Sequence, residues 1–267
     1  MSFTIRASST STWPDCPRRG AARIIPHLVR AAGFDLRETL QTIGASVGTA
    51  THAAVAHTMA QKALSGTLAN ETETEQCGIE SLSNSVGNSV RWDATSPDLN
   101  TAEKQVLRQY RTYRLNLAEK IQPRAVERRI TVTTKNGNQL SGQPDIVDTG
   151  IRDTKTGVIH RVPLAQLGAY SLLTRSEGET VSTLVEDYIQ RVPVGKEQPA
   201  PATFEYDVGL AERAAARVIA EIETCAANFE RSGDPLEFMA NPMSMLCSEK
   251  WCPAWGTGWC REHAGAK

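Results

Sequence analysis

Residues 125–191 constrain the fold more than any other part of the chain, because they string four strand-like runs and one helix together on short connections. Residues 125–134 read as a strand, Asn136-Gly137 is the dipeptide that two-residue hairpins favour, and residues 139–148 supply the returning strand. A short third strand over 151–155 stops at Thr156-Gly157. Residues 163–174 read as a helix with proline in its first turn, and the β-branched run 181–191 as a fourth strand. Three strands, a helix and a further strand predict an α/β fold with a central mixed four-stranded sheet flanked by helices.

The flanking sequence supplies more helices. Residues 1–12 are polar and expected to be extended, and the prolines around Cys16 mark a turn into a helical segment, 14–64, whose alanine-rich part is 44–64. Residues 65–76 and 81–97 are rich in Ser, Thr, Glu and Asn and read as loops. Residues 101–121 place Val106, Tyr110, Tyr113 and Leu117 on one helical face and Lys104, Arg108 and Arg111 on the other. A proline-rich loop, 193–201, precedes a long helix over 207–231 that Gly233 caps, and a tail over 240–263 is rich in Cys, Trp, Gly and Pro. The 267 residues predict a single domain with a core at about 101–231, to which the N-terminal segment and the tail are attached.

With 40% hydrophobic residues, no run long enough to span a bilayer and no apolar leader, the expectation is a cytoplasmic protein with no membrane partner. The net charge of −1 hides an uneven distribution: nine Lys/Arg against three Glu over 101–135, and five against thirteen Asp/Glu over 176–237. A near-neutral chain of this kind can still offer a basic face to a polyanion.

Three residues carry the chemistry. Asp145 sits late in the second strand, and Asp153 and Lys155, two apart on the third, share a face. Only seven residues separate the aspartates, so a turn at Thr149-Gly150 brings them together. Two converging carboxylates form a hard oxygen site that suits magnesium or manganese. A lysine beside such an ion can orient water or stabilise charge in phosphodiester hydrolysis.

Pro144-Asp145, seven residues, then Asp153-Thr154-Lys155 resembles the core motif of the PD-(D/E)xK nuclease superfamily. Gln166-Leu167-Gly168-Ala169-Tyr170 is similar to the Gln-x-x-x-Tyr motif of its RecB-like branch, and Gly48-Thr49-Ala50-Thr51-His52 to that branch's Gly-x-x-x-His segment. The resemblance implies a restriction-endonuclease-like core and a DNA nuclease, with exonuclease favoured over endonuclease. It implies that His52, Asp145, Asp153 and the carbonyl of Thr154 bind the metal, that Lys155 assists the water, and that Gln166 and Tyr170 position the DNA backbone. Glu127 stands where an acidic residue is often seen, and His57 competes with His52 but lacks the glycine segment. Arg108 and Arg111 are expected to guide single-stranded DNA or duplex ends by phosphate contacts. A helicase or recombination partner is a further expectation, in recombination, repair or phage DNA processing.

Six cysteines without an export signal read as metal or redox ligands before disulfides. Nucleases of this branch with a 4Fe-4S cluster use one cysteine before the core and three after it, which Cys16, Cys247, Cys252 and Cys260 resemble. Here four and then seven residues separate the last three, wider than the family spacing. Four thiolates also suit structural zinc. Trp251, Trp255 and Trp259 can shield such a site or pack a satellite core, and Cys77 and Cys225 fit neither pattern. Two rivals stay open: a catalytically silent DNA-binding module of the nuclease fold, and a zinc-stabilised interaction protein.

Overall fold

The computed structural model describes residues 2–87 and 89–261, so the last two residues of the expected tail, 262 and 263, lie outside the described residues. The N-terminal part carries β1 (Thr4–Arg6), α1 (Ala7–Thr10), α2 (Pro17–Ile24), α3 (Pro26–Ala31), β2 (Gln41–Thr42), α4 (Ile43–Ser65), α5 (Glu71–Val86) and β3 (Val90–Arg91). Then come α6 (Leu99–Tyr113), β4 (Ala125–Val126), β5 (Ile130–Thr133), β6 (Gln139–Gly142), β7 (Ile146–Val147), β8 (Ile151–Gly157) and α7 (Leu164–Ser176). β9 (Leu184–Gln190), β10 (Ala202–Tyr206) and α8 (Val208–Ser232) complete the order.

In place of one four-stranded sheet there are a five-stranded sheet, β10-β9-β8-β7-β4, and a three-stranded one, β1-β6-β5; β2 and β3 pair separately. Glu127 is the physical reason for the split. It adopts a left-handed conformation, φ 46°, which a non-glycine residue rarely tolerates, and it breaks the first predicted strand into β4 and β5. Its partner strand breaks between Gly142 and Ile146, across Pro144. The hairpin therefore bends: its tip pairs with β1, and its root joins β8. The parallel β8–β9 pair forms the centre, and β10 adds antiparallel to β9.

Residues 1–12 were expected to be extended; Thr4–Arg6 is, but Ala7–Thr10 is helical. The loops expected at 65–76 and 81–97 are each helical in part, because α5 runs from Glu71 to Val86. Asn70 caps it, its side chain accepting from Glu73 N at 3.1 Å, and Glu71 and Glu73 lie where the helix dipole favours acids. Asp98 caps α6 in the same way, accepting from Thr101 N at 2.7 Å.

The main core joins Ile151, Leu167, Tyr170, Leu173 and Leu184 to Ala215, Ile222 and Phe229 of α8, and extends to Trp13, Ile25, Phe238 and Trp259. N-terminal and tail residues thus share one apolar interior with the sheet. On the opposite side, Val55 and Met59 of α4 and Tyr113 cover Ile146 and Ile189. Among the described residues no helix is long and apolar enough to cross a membrane.

Candidate active site

β7 and β8 make the tight pair that the spacing of the aspartates requires, with Val147 opposite Ile151 and Asp148 Oδ1 accepting from Gly150 N at 2.9 Å. The turn sets Asp145 beside β8, where Thr154 N donates to Asp145 Oδ2 at 2.7 Å. Asp153 and Lys155 project from one face of β8, with Lys155 Nζ 2.6 Å from Asp153 Oδ2.

α4 delivers the histidine. A Cβ on Gly48 would lie 2.7 Å from Thr156 Oγ1, so the missing side chain lets the helix press against β8. One turn later, His52 Nδ1 lies 3.2 Å from Asp145 Oδ2. His57 is turned toward α5, its Nδ1 3.0 Å from Thr74 Oγ1. From the other side, α7 brings Gln166, whose Oε1 accepts from Lys155 Nζ at 3.1 Å while Nε2 donates to Tyr170 OH at 2.9 Å and to Asp153 Oδ1 at 3.4 Å.

His52, Asp145, Asp153, Lys155 and Gln166 therefore converge from three elements and one turn. Tyr170 is buried behind Gln166, where its hydroxyl accepts from Gln166 Nε2 at 2.9 Å and supports that amide. Arg108 and Arg111 are not gathered into this set. Arg108 donates to the backbone carbonyls of Val194 (2.9 Å) and Lys196, and Arg111 pairs with Glu75, Nε to Oε1 at 2.5 Å.

The electrostatics divide the two aspartates. Burial drives Asp153 up to about 6, with the Asp145 charge adding to the rise and Lys155 opposing it. Burial also acts to raise Asp145, but the His52 charge and contact, Lys155 and the Thr154 N–H outweigh it and hold the carboxyl below its usual range. Burial works against the Lys155 ammonium, yet Asp153 and Asp145 overcome it and raise its pKa. Lys155 is thus a cation at neutral pH in this arrangement and is not available as a base.

The donor set fits a divalent cation. It offers two carboxylates and an imidazole, and the buried Asp153 Oδ2 has the Lys155 ammonium, 2.6 Å away, as its partner. Among the described residues no three His, Cys, Asp or Glu side chains are already drawn in around a single ion position. Cation binding must therefore move Lys155 off Asp153. It must also displace protons, one from Asp153 below about pH 6 and one from His52, whose pKa Asp145 raises against the effect of burial, so Mn²⁺ affinity should fall by roughly tenfold per pH unit or more steeply beneath that value. Calorimetric titration between pH 4.5 and 8 measures this, and a flat profile would contradict it. Without metal the folded state holds the Asp153 proton more tightly than the unfolded chain does, so ionisation costs stability as pH rises from 3.8 to about 6.

Two openings reach the site. A cavity of about 380 Å³ is lined by Gly48, Thr49, His52, Ala53 and Glu127. On the other side, a groove of about 540 Å³ starts at Lys155 and Gln166 and runs between Ile159, Arg161 and Val162 and the tail residues Ser244, Met245 and Leu246. Burial and the nearby Asp145 charge raise the Glu127 carboxyl.

Cys16, Cys247, Cys252 and Cys260 line one small cavity together with Arg18 and Arg19, although they come from opposite ends of the chain. Hydrogen bonds fix the two ends: Arg18 to the carbonyls of Phe238 (3.0 Å) and Pro235 (2.9 Å), Trp259 Nε1 to Arg18 O (3.0 Å), and Asn241 N to Cys16 Sγ (3.4 Å). The cavity is small, and among the described residues the four thiols are not gathered as a group that could hold a metal ion. Trp259 belongs to the main core, whereas Trp251 lies under Arg91 and Lys250, 4.7 and 4.9 Å from its centroid.

Sequence reasoning missed β9's own acids, Glu186 and Asp187, both fully buried. The signal was present: two adjacent carboxylates inside an otherwise apolar strand. Asp187 is held by Arg152 (3.0 and 2.9 Å) and Thr203 (2.8 Å). Glu186 stands beside Asp153 in the strand register.

A mixed sheet with helices on its faces, carrying a carboxylate–lysine cluster beside the central strand pair, is the arrangement of a nuclease fold. The sequence profile of the PD-(D/E)XK nuclease superfamily matches residues 5–261, and the chain belongs to that superfamily. Its fold implies a nucleic-acid substrate. Among solved structures, a Eubacterium rectale protein described provisionally as an exonuclease is similar over 91% of this chain and 86% of its own, with a TM-score of 0.53 and 10% identity, a likeness of fold. The structure of SSO0001, with a TM-score of 0.28 and 13% identity, covers 73% of this chain and 84% of its own, too remote to argue from. No curated protein sequence matches the chain.

Proposed function

We propose that this protein is a magnesium- or manganese-dependent deoxyribonuclease, acting as an exonuclease on single strands or duplex ends. The observation that carries the reading is the convergence of His52, Asp145, Asp153, Lys155 and Gln166 on one buried site. His52, Asp145, Asp153 and the Thr154 carbonyl would hold the ion, which when bound neutralises phosphate charge and acidifies water. Lys155 supplies a fixed positive charge to the phosphate as negative charge builds on it. Gln166 keeps that ammonium aimed, and Tyr170 keeps Gln166 in place. The 540 Å³ groove gives a strand its path, with Arg161 on its wall for a phosphate contact.

RecB-like ancestry, a cytoplasmic setting and a helicase or recombination partner belong to the same proposal and rest on the motif resemblance. End-labelled single- and double-stranded DNA with Mg²⁺ or Mn²⁺ tests it: products should shorten from an end, and EDTA should stop them. Binding that never leads to cleavage would mark a silent DNA-binding module instead.

We infer in the same spirit that the four cysteines at the chain ends hold a 4Fe-4S cluster, with zinc as the alternative. Their meeting at one cavity, with a backbone N–H aimed at Cys16 Sγ, supports this. Cys252→Ser should lose the bound iron or zinc and lower Tm by roughly 5–10 °C. Wild-type protein purified without oxygen that contains neither metal, by elemental analysis, would refute the clasp.

A further inference from the structure

Glu186 is the buried acid for which the site as described has no use. It is wholly inaccessible, and its two oxygens differ. Oε2 accepts from Tyr206 OH at 2.6 Å and faces His160 Nε2 at 3.1 Å. Oε1 is buried with no hydrogen-bond partner. A buried carboxylate oxygen without a protein partner is costly, and the strand's other acid shows that it is avoidable here: Asp187, one residue on, is engaged by Arg152 and Thr203. The unpaired oxygen of Glu186 therefore calls for an occupant that arrives from elsewhere.

Geometry supplies one. In the parallel β8–β9 pair Glu186 is the register partner of Asp153, and Lys155 is opposite Tyr188, so the lysine and Glu186 lie diagonally on one face. Lys155 now rests on Asp153 Oδ2, itself a buried oxygen that a cation would take. The negative charge of Glu186 already acts on the ammonium.

Resting on the nuclease reading above, we propose that Glu186 is a positioning residue that receives the Lys155 ammonium through Oε1 when a divalent cation displaces it from Asp153. Glu186 then does two things. It lowers the free-energy cost of expelling the lysine, and so raises metal affinity. It also keeps the expelled charge beside the site on a long side chain that would otherwise be free to wander. His160, stacked on Phe204 at a centroid distance of 4.3 Å, and Tyr206 hold the other oxygen, which leaves Oε1 as the unengaged one.

Mn²⁺ binding to the full chain, read by the EPR signal of free Mn²⁺ without any substrate, tests this. Glu186→Gln should weaken Mn²⁺ binding by about tenfold or more, the usual scale for a residue that supports metal ligands. Lys155→Met removes the competing ammonium and should tighten binding. In the Lys155→Met background, Glu186→Gln should then cost no more than about twofold, because the partner is gone. An undiminished effect in that background would mean that Glu186 acts on the cation by charge alone, and would overturn the proposal; so would an unchanged affinity in Glu186→Gln. If Glu186→Gln fails to fold, Glu186→Asp keeps the charge but withdraws the oxygen, and should weaken binding likewise. Wild-type protein that binds no Mn²⁺, indistinguishable from Asp145→Ala, would sink the nuclease reading itself, an outcome distinct from the failure of Glu186 alone.

Discussion

Replacing Lys155 by methionine is expected to lower kcat on labelled DNA by about a hundredfold to a thousandfold, with KM little changed. The size follows from what the ammonium does. It is held at the site by the buried Gln166 at 3.1 Å and, until a cation takes Asp153, by that carboxylate at 2.6 Å, so its charge acts in surroundings that screen it less than bulk water does. Such a preorganised charge stabilises the transition state more than the bound substrate, and its removal therefore falls on kcat. Methionine keeps the length and apolar body of the side chain, and the fold should survive. Because the ammonium also competes with the cation for Asp153, the variant should bind metal more tightly while turning over more slowly, an opposition that simple misfolding cannot produce. Single-turnover cleavage at saturating Mn²⁺ is the measurement. A loss confined to KM would mean that Lys155 only helps to hold DNA.

Much of this site was legible in advance because each of its motifs is a local statement. Asp-x-Lys on a strand fixes which face both side chains share, and four residues on a helix fix that Gln166 and Tyr170 lie together. Gly48 and His52 are one helical turn apart for the same reason. What the spacing could not supply was the direction of the last contact. Tyr170 lies on the expected helix face with its hydroxyl against the Gln166 amide, and Gln166 spends that amide on Lys155 and Asp153 as well. Arg108 and Arg111 lie on the polar face of α6 as the periodicity requires, yet β9's following loop and α5 consume them. Those partners come from segments that were read by composition as loops. The sheet failed in the same manner. The hairpin was correct as a local unit, but the left-handed turn at Glu127 is a feature that no helical or strand periodicity records, and with the break across Pro144 it divides one expected sheet into two. Glu186 went unnoticed because apolar neighbours identify a strand as buried without saying which of its polar members has a purpose.

Gly168→Ala is expected to destabilise the protein by about 3 kcal/mol or more, which lowers Tm by roughly 6–12 °C for a chain of this size. In an exposed helix the same change would stabilise slightly, since alanine is the better helix former. Here the added methyl carbon would lie 1.9 Å from the Ala211 carbonyl oxygen and 2.8 Å from Glu212 N. Those are backbone atoms of α8, which cannot rotate aside as a side chain can, so the two helices must separate. Their contact holds Leu167, Ala169 and Leu173 against Ala211 and Ala215, and opening it exposes that part of the core. Gly195→Ala is the control, because nothing lies within 4 Å of a Cβ there and its backbone conformation is ordinary; it should melt with the wild type. The substitution also reaches the chemistry. Gly168 lies midway between Gln166 and Tyr170, and any shift of α7 off α8 carries Gln166 with it and loosens the 3.1 Å contact that aims Lys155. Activity measured well below the melting point should therefore fall in Gly168→Ala even while the chain is folded. If the variant instead melted with the wild type and cleaved DNA at the same rate, α7 and α8 would not cross closely at this glycine, and the residue between the two polar members of the motif would need another explanation.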